Sequence, residues 1–327
     1  MRTTQGTADP DGAPRQVRLP GAWEPSAADA LAALAPGNGP VALIDAAEAW
    51  IARILQHAAA AGISTAIADD LRWLLLTRRG APGAELWRGD CDATPRFVLN
   101  LAAFWDPDDA FDVGGFAKAA EIAAVALTFL QPQAERIAVG FADLAGLLAL
   151  LGLEYDCIAA RNVAAGLAAL MRAAAELGSA DMATHFGSAG RATPVEAPPV
   201  RAAIPGLVAQ ATEAQQAAAA RPHRRHRITT GLFAPGPVEA LLGVETGGIA
   251  PAFAPIDSRG ALTRTARSRL TAHQGSAEGA LAELFGGRDP IPRESPPAHR
   301  AMQAAVAPYV HTLAPIPEII AVPSGQT

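Results

Sequence analysis

Thiol chemistry is the first possibility to weigh, because the chain contains two cysteines, Cys91 and Cys157. Two cysteines so far apart form neither a CxxC motif nor a disulfide framework. The favoured interpretation is an ordinary loop thiol at Cys91 and a buried small residue at Cys157. A redox role for either residue is the alternative.

A basic cluster at residues 221–227 is the second group that could do chemistry. His223 and His226 have a spacing that two metal ligands could use, but the four arginines around them oppose binding of a cation. A solvated basic loop is therefore the favoured interpretation. The alternative is an anion or phosphate site, because the planar guanidinium group matches phosphate oxygens.

Two carboxylates, Asp143 and Glu154, lie close together in sequence and could act as an acid–base pair. Each follows or precedes a predicted element, where carboxylates commonly cap helices or face solvent. The favoured interpretation is that they are capping or surface carboxylates.

Apolar periodicity predicts the elements that must position these residues. A short apolar run at 136–140 suits a buried strand, and helical spacing follows at 141–156 and again at 163–177. A second apolar run at 97–104 and a helix capped by Asp112 precede them. Two successive strand-then-helix units predict parallel strands with helical crossovers, and hence a helix-rich α/β fold.

Weaker patterns predict further elements along the chain. They are a short helix capped by Ser26, helices at 42–61, 68–78 and 207–220, a loop at 80–95, a helix beginning at about 298, and a final strand at 318–322.

Length and composition allow one large domain or two smaller ones. The chain has 327 residues, half of them hydrophobic, which is enough for a sizeable core. We expect a disordered tail at 1–16, then one domain at 17–325 that includes a low-complexity segment at 188–222 and an irregular excursion at 258–297.

Charge and hydropathy bear on partners and location. A net charge of −6 argues against a general nucleic-acid binder. The N-terminus lacks the apolar region of a secretory signal. No apolar run approaches the roughly 20 residues that a membrane span needs without turn residues or charges. We therefore expect a cytoplasmic protein with no membrane or nucleic-acid partner.

Several short sequence words, in order, resemble the large catalytic subunit of ribonucleotide reductase, especially its adenosylcobalamin-dependent (class II) branch. The words are residues 100–102, 111–113, 140–144, 150–156, 160–171, 179–183, 232–254 and 299–323. The resemblance extends from about residue 97 to 323, with a gap at 188–224. It implies a ribonucleotide-reductase-type α/β barrel, present only in part because the chain is shorter than the full enzymes.

The resemblance also implies what the chemistry would need. Reductases of this family use a cysteine thiyl radical, two further cysteines that become a disulfide, and a carboxylate general base. This chain has two cysteines in all, and Leu99 lies where the resemblance places a cysteine. We therefore assign no catalytic residue and expect no cofactor; adenosylcobalamin is implied by the family resemblance alone.

The family's phosphate-binding loop is altered as well. Its threonine hydroxyls are absent here, and Pro237 has no backbone N–H to donate to a phosphate. What remains is a vestigial phosphate or nucleotide site. Its predicted members are Ala234, Pro235, Gly236, Arg224, Arg225 and Arg227.

These observations predict a ribonucleotide-reductase-like pseudoenzyme that acts by binding a nucleotide or a partner protein such as a full-length reductase. The alternative is a functional adenosylcobalamin-dependent oxidoreductase of this type that uses non-standard or partner-supplied residues. A third hypothesis is a structural remnant whose barrel face is filled by side chains.

Overall fold

The structure, a computed structural model, describes residues 1–9, 11–90, 93–108, 110–252, 255–256, 262–274 and 296–313. It has a helix-rich α/β fold with mixed sheets. The strands are β1 (Arg2–Gly6), β2 (Arg15–Leu19), β3 (Val41–Ala42), β4 (Gly80–Pro82), β5 (Arg96–Asn100), β6 (Trp105–Asp106), β7 (Ala110–Phe111), β8 (Arg136–Ala142), β9 (Gly190–Arg191), β10 (His223–Arg224), β11 (Ile228–Leu232) and β12 (Thr312–Leu313). The helices are α1 (Pro25–Leu34), α2 (Leu43–Ala60), α3 (Ile67–Leu76), α4 (Ala84–Trp87), α5 (Val113–Leu130), α6 (Leu144–Leu150), α7 (Ile158–Phe186), α8 (Leu207–Ala219), α9 (Pro237–Leu241), α10 (Arg264–Gln274) and α11 (Pro296–Val306).

The central element is a five-stranded sheet with the order β12-β11-β8-β5-β4. Strands β5, β8, β11 and β12 are parallel, and β4 pairs antiparallel with β5 at one edge. The prediction of parallel strands joined by helical crossovers is confirmed for β5 and β8, which α5 connects. Among the described strands, β12 and β4 form the two edges, so the sheet is open in this part of the chain.

Strand β8 is the longest strand of this sheet and is buried along nearly all of its length. Every residue after Arg136 is buried, as expected for a parallel strand covered on both faces. An added Cβ at Gly140 would lie 2.2 Å from the carbonyl oxygen of Gly231. Glycine at this position therefore lets β11 pair closely with β8.

Helices α5 and α7 pack against each other beside the sheet. Asp112 caps α5 as predicted, since its Oδ1 accepts from the Gly115 N–H at 2.8 Å. Gly178 of α7 lets the helices approach, because an added Cβ there would lie 2.7 Å from the Glu121 carbonyl oxygen.

Both of these helices are long and apolar enough, by length and composition alone, to cross a membrane. Each of them also contains charged residues, Lys118 and Glu121 in α5 and Arg172 and Glu176 in α7, so the expectation that no such run is free of turn residues and charges stays a prediction. The most apolar stretches of α5 and α7 are 67% and 94% buried inside the protein.

The N-terminal segment departs from the predicted disordered tail. Strand β1 pairs antiparallel with β2, and β3 completes a small sheet beside α1. Strand β2 alternates, with Val17 and Leu19 buried. Buried Arg15 on the same face donates from Nη1 to the Ala35 carbonyl oxygen at 3.0 Å. This alternation spans only five residues, which is why the sequence pattern is weak.

Several boundaries also differ from prediction. The predicted loop at 80–95 contains β4 and α4, and the predicted strand at 97–104 ends at Asn100 before a 3-10 turn. The segments predicted to be low-complexity and irregular contain α8 and α10, respectively, and α8 confirms the predicted helix at 207–220. Glu24, and not Ser26, lies at the N-cap of α1. The predicted strand at 318–322 lies outside the described residues.

Candidate functional site

The candidate site lies where the parallel strands end. Strands β5, β8 and β11 all run in one direction, so the residues after Asn100, Ala142 and Leu232 meet at one edge of the sheet. In open α/β sheets, ligands bind at the carboxyl ends of the strands. The residues at this edge therefore decide what the site can do.

Asp143 follows β8 directly and is fully buried. Its backbone is left-handed, with φ of 67°, a conformation that Asp tolerates better than most residues. Its backbone N–H donates to the Thr246 carbonyl oxygen at 2.8 Å. Its carboxylate accepts from Arg264 Nη2 and, at 3.4 Å, from Thr246 Oγ1. The interpretation of Asp143 as a capping or surface carboxylate is therefore wrong, because it makes no side-chain cap bond and is buried.

Burial raises the pKa of Asp143 to about 6, because the charged form loses its hydration. The positive charge of Arg264 opposes this rise and the negative charge of Glu245 adds to it. A carboxyl group with a pKa near neutrality can act as a general base where it meets a substrate. We call Asp143, Glu245, Thr246 and Arg264 the strand-end cluster.

Glu245 attaches α10 to this edge. Its carboxylate accepts from the backbone N–H of Thr265 at 2.9 Å and from the Thr265 hydroxyl at 2.7 Å. These bonds satisfy donors in the first turn of α10, where a negative charge is also favourable. Arg269 of the same helix pairs with Glu154 at 3.1 Å, and the Glu154 side chain is about half exposed, at 52%. Glu154 is thus a surface carboxylate, as predicted.

Asn100 ends β5 and contributes an amide to the same edge. Its Nδ2 donates to the Leu242 carbonyl oxygen at 3.0 Å, which ties β5 to the end of α9. Its Oδ1 is buried and has no hydrogen-bond partner among the described residues.

The predicted phosphate loop, formed by Ala234, Pro235 and Gly236, leads from β11 into α9. The Gly236 N–H donates to Glu239 Oε2 at 2.8 Å, so the chain's own carboxylate already occupies this donor. Burial raises the pKa of Glu239. A phosphate at this loop would have to displace this carboxylate.

A cavity of about 590 Å³ lies beside this loop. Its described lining residues include Gly236 from the loop and Asp29 from α1, and no Lys, Arg or His is among them. Because Asp29 is the only charged residue among the described ones that line it, the cavity does not favour an anion.

The predicted arginines do not lie together with this loop. Arg225 is buried and donates to the Pro132 carbonyl oxygen at 2.6 Å, while exposed Arg227 pairs with Glu135 at 3.0 Å. Arg224 is buried on a different side, where it donates from Nη2 to the Ala218 carbonyl oxygen at 2.6 Å. The structure thus separates the six predicted residues into a loop and three diverging arginines.

The interpretation of 221–227 as a solvated loop is wrong for its central residues. Arg224, Arg225 and His226 are buried. His226 Nδ1 lies 2.9 Å from the Ser179 hydroxyl of α7, and burial together with Arg225 lowers its pKa to about 3. Neutral imidazole is the form that such a position favours. Only the flanking residues of the segment face solvent.

Arg224 contributes to a second cavity of about 600 Å³ between α7, α8 and the segment before α8. Its charged lining residues are Arg172, Glu176 and Arg224. Arg172 Nε donates to Glu176 Oε1 at 3.0 Å, and Arg172 Nη2 donates to Thr193 Oγ1 at 3.2 Å. We call this the arginine cavity. The i, i+4 spacing of Arg172 and Glu176 in the otherwise apolar stretch 163–178 of α7 could have indicated it.

Cys157 lies at the N-cap of α7, where its sulfur accepts from the Ala160 N–H at 3.3 Å. Its thiol therefore has a structural partner. Leu99 is fully buried in β5, and Cys91 lies outside the described residues. Among the described residues, no group of three or more His, Cys, Asp or Glu could hold a metal ion.

Comparison with known proteins does not identify a family for this chain. No protein-family model matches the chain, and no curated protein is significantly similar to it.

Proposed function

We propose that this chain is a ribonucleotide-reductase-like protein without reductase activity, which acts by binding a nucleotide or a partner protein. The observation that carries the proposal is the thiol count. The chemistry implied by the resemblance needs at least three cysteines, and the chain has two. Leu99, at the expected position of one of them, is an apolar core residue.

The sheet topology supports the finer proposal of a partial reductase-type barrel. Strands β5, β8, β11 and β12 follow one another in space in their chain order, so each crossover adds a strand on the same side. A sheet built in this way curves toward a barrel, whereas a doubly wound sheet reverses its order at a switch point.

The loop geometry supports the absence of turnover. Glu239 occupies the Gly236 N–H, and the strand-end cluster holds two carboxylates against one guanidinium group. A nucleotide phosphate would meet negative charge at this edge. Binding of a partner, such as a full-length reductase, therefore receives more support than binding of a nucleotide at the predicted loop.

Adenosylcobalamin does not fit the cavity beside the loop. A cavity of about 590 Å³ holds a drug-sized ligand, and a corrinoid with its nucleotide tail is larger. We therefore derive no step through this cofactor. The cytoplasm remains the proposed location.

The direct test is a reductase assay of the purified chain with adenosylcobalamin, a dithiol and each ribonucleotide. We expect no deoxyribonucleotide product. Turnover of any nucleotide would overturn the proposal.

A thermal-shift titration with nucleoside diphosphates tests the binding part, since a ligand of the folded state raises the melting temperature. Glu239→Ala frees the Gly236 N–H and should strengthen nucleotide binding if the loop keeps any phosphate affinity. Glu213→Ala, at an exposed position of α8, is the matched control. If neither the wild type nor Glu239→Ala responds, binding of a partner protein remains, and sedimentation with a full-length reductase tests it.

One observation favours the second candidate, an enzyme that receives its cysteines from a partner subunit. Asp143, with a pKa of about 6 at the end of β8, has the properties of a general base. Reductase activity that appears only on mixing with a partner, and disappears in Asp143→Asn, would establish this alternative.

A further inference from the structure

We propose that the arginine cavity is a binding site for a small organic carboxylate. Its floor lies on α7, but its outer wall, formed by residues 192–195, 197 and 198 and by α8, falls in the gap of the reductase resemblance. The proposal therefore stands or falls independently of the function proposed above.

The first reason is the balance of charge. Two guanidinium groups and one carboxylate are the charged side chains that line the cavity: Arg172, Arg224 and Glu176. The exposed fractions of their side chains are 10%, 2% and 9%. Buried charges are stable when they are paired, and one positive charge here has no carboxylate of its own.

The second reason is incomplete hydrogen bonding. Glu176 is shared, because its Oε1 accepts from Arg172 at 3.0 Å and its Oε2 lies 3.4 Å from Arg224 Nη2. Arg172 Nη1 has only a long contact of 3.4 Å, to the Pro308 carbonyl oxygen. Arg224 Nε is buried with no acceptor among the described residues. A second carboxylate would supply the missing acceptors in the geometry that guanidinium groups prefer.

The rest of the lining determines the class of ligand. Small apolar side chains form much of the wall, including Ala173, Val195 and Ala218, and Thr212 and Gln215 add hydrogen-bonding groups. The cavity opens to solvent at exposed Thr193, Gln216 and Ala219. A volume of about 600 Å³ suits a small organic molecule. A monoanion with an apolar body matches both the walls and the single excess charge, whereas a phosphate dianion would add a second negative charge beside Glu176.

Matched pairs of probes test the proposal on the full chain. Hexanoate and benzoate should raise the melting temperature in a saturable way, and their neutral amides, hexanamide and benzamide, should not. Inorganic phosphate should give a smaller shift than either carboxylate. Equal shifts from acids and amides would show an apolar pocket without anion recognition and would overturn the proposal, as would no shift from any probe.

Three variants locate the binding by calorimetry. Arg172→Gln should weaken hexanoate binding by about tenfold or more, because a charge-assisted bond is lost. Glu176→Gln should strengthen it several-fold, because a competing carboxylate is removed. Loss of structure cannot produce this gain, so unchanged or weaker binding by a folded Glu176→Gln protein contradicts the proposal.

Gln216→Trp tests the location without changing any charge. An indole at this rim position should block the cavity and abolish binding. Ala217→Trp, one residue further along α8 and exposed outside the cavity, is the matched control and should bind hexanoate as the wild type does. Equal binding by both variants would place the ligand elsewhere and overturn the assignment.

Discussion

The strand-end cluster and the arginine cavity are two ionic groups with opposite balances of charge. At the strand ends, buried Asp143 pairs with the guanidinium group of Arg264, and exposed Glu245 lies nearby, where it accepts from the Arg264 backbone N–H. In the arginine cavity, two guanidinium groups share the carboxylate of Glu176. The edge of the sheet where a reductase would hold phosphate is therefore the acidic one. The place suited to an anion lies between α7 and α8, and its outer wall is a segment without family features.

The difference shows that the segments that resemble a family and the residues suited to bind a ligand need not coincide within one chain. Helix α7 carries the sequence words that resemble the family, and its Arg172 and Glu176 also form the floor of a cavity that the family resemblance does not imply. A resemblance carried by helices and strands thus predicts the fold better than it predicts the position of a ligand.

The strand-end cluster is tested most strongly by Arg264→Ala. This change leaves the fully buried Asp143 without its cation, and we expect a loss of about 3 kcal/mol in the free energy of unfolding at pH 7. The Arg264 side chain is 34% exposed, so we place the loss at the lower end for buried pairs. Urea unfolding measures it. Arg201→Ala, at an exposed position, is the control and should change stability little.

The pH dependence of stability, compared between the wild type and Asp143→Asn, tests the acidic partner of the same ion pair. Burial, opposed by Arg264, raises the pKa of Asp143 from 3.8 to about 6, so the folded state keeps a proton that the unfolded state releases. The stabilisation that comes from this proton is fully present below pH 4 and is lost as pH rises through 6. Wild-type stability minus that of Asp143→Asn should fall by about 2 to 3 kcal/mol over this window. A flat or rising difference would contradict the buried-acid assignment.

The contribution of buried His226 to stability should change with pH in the opposite direction. Burial and Arg225 lower the pKa of His226 from 6.5 to about 3, so the unfolded state takes up the proton first. Stability is then lost as pH falls below 6.5, and wild type minus His226→Gln should decrease by about 2 kcal/mol by pH 5. Exposed His223→Gln, in the same segment, is the matched control. Parallel pH trends for Asp143 and His226 would contradict the opposite pKa shifts of these two buried groups.

The smallest expected loss of stability comes from disturbing the packing of α7 against α5. An added methyl group at Gly178 would lie 2.7 Å from the Glu121 carbonyl oxygen, so Gly178→Ala should push α7, the floor of the arginine cavity, away from α5. We expect a loss of about 1.5 kcal/mol on thermal or urea unfolding. Gly114→Ala is the control, because the nearest atom to its added Cβ is 3.9 Å away. Equal stability of the two variants would mean that the helix pair is loosely packed.

Long apolar elements could be predicted because each carries its own signal. Strand β8 and the helices α2, α3, α5, α7 and α8 follow from runs and periodicities contained within each segment. Strands β1 and β2 could not, since five alternating residues in a polar context resemble a tail until they pair.

The candidate sites, like the strands and helices, could be predicted only in part. The sequence by itself determined the shortage of thiols, the absence of the loop threonines and the helix-rich α/β architecture. Only the tertiary structure decided that Asp143 meets Arg264 and that Arg224 joins Arg172 and Glu176. The physical reason is that burial and charge pairing depend on which distant segments pack together, and no local pattern in the chain encodes those contacts.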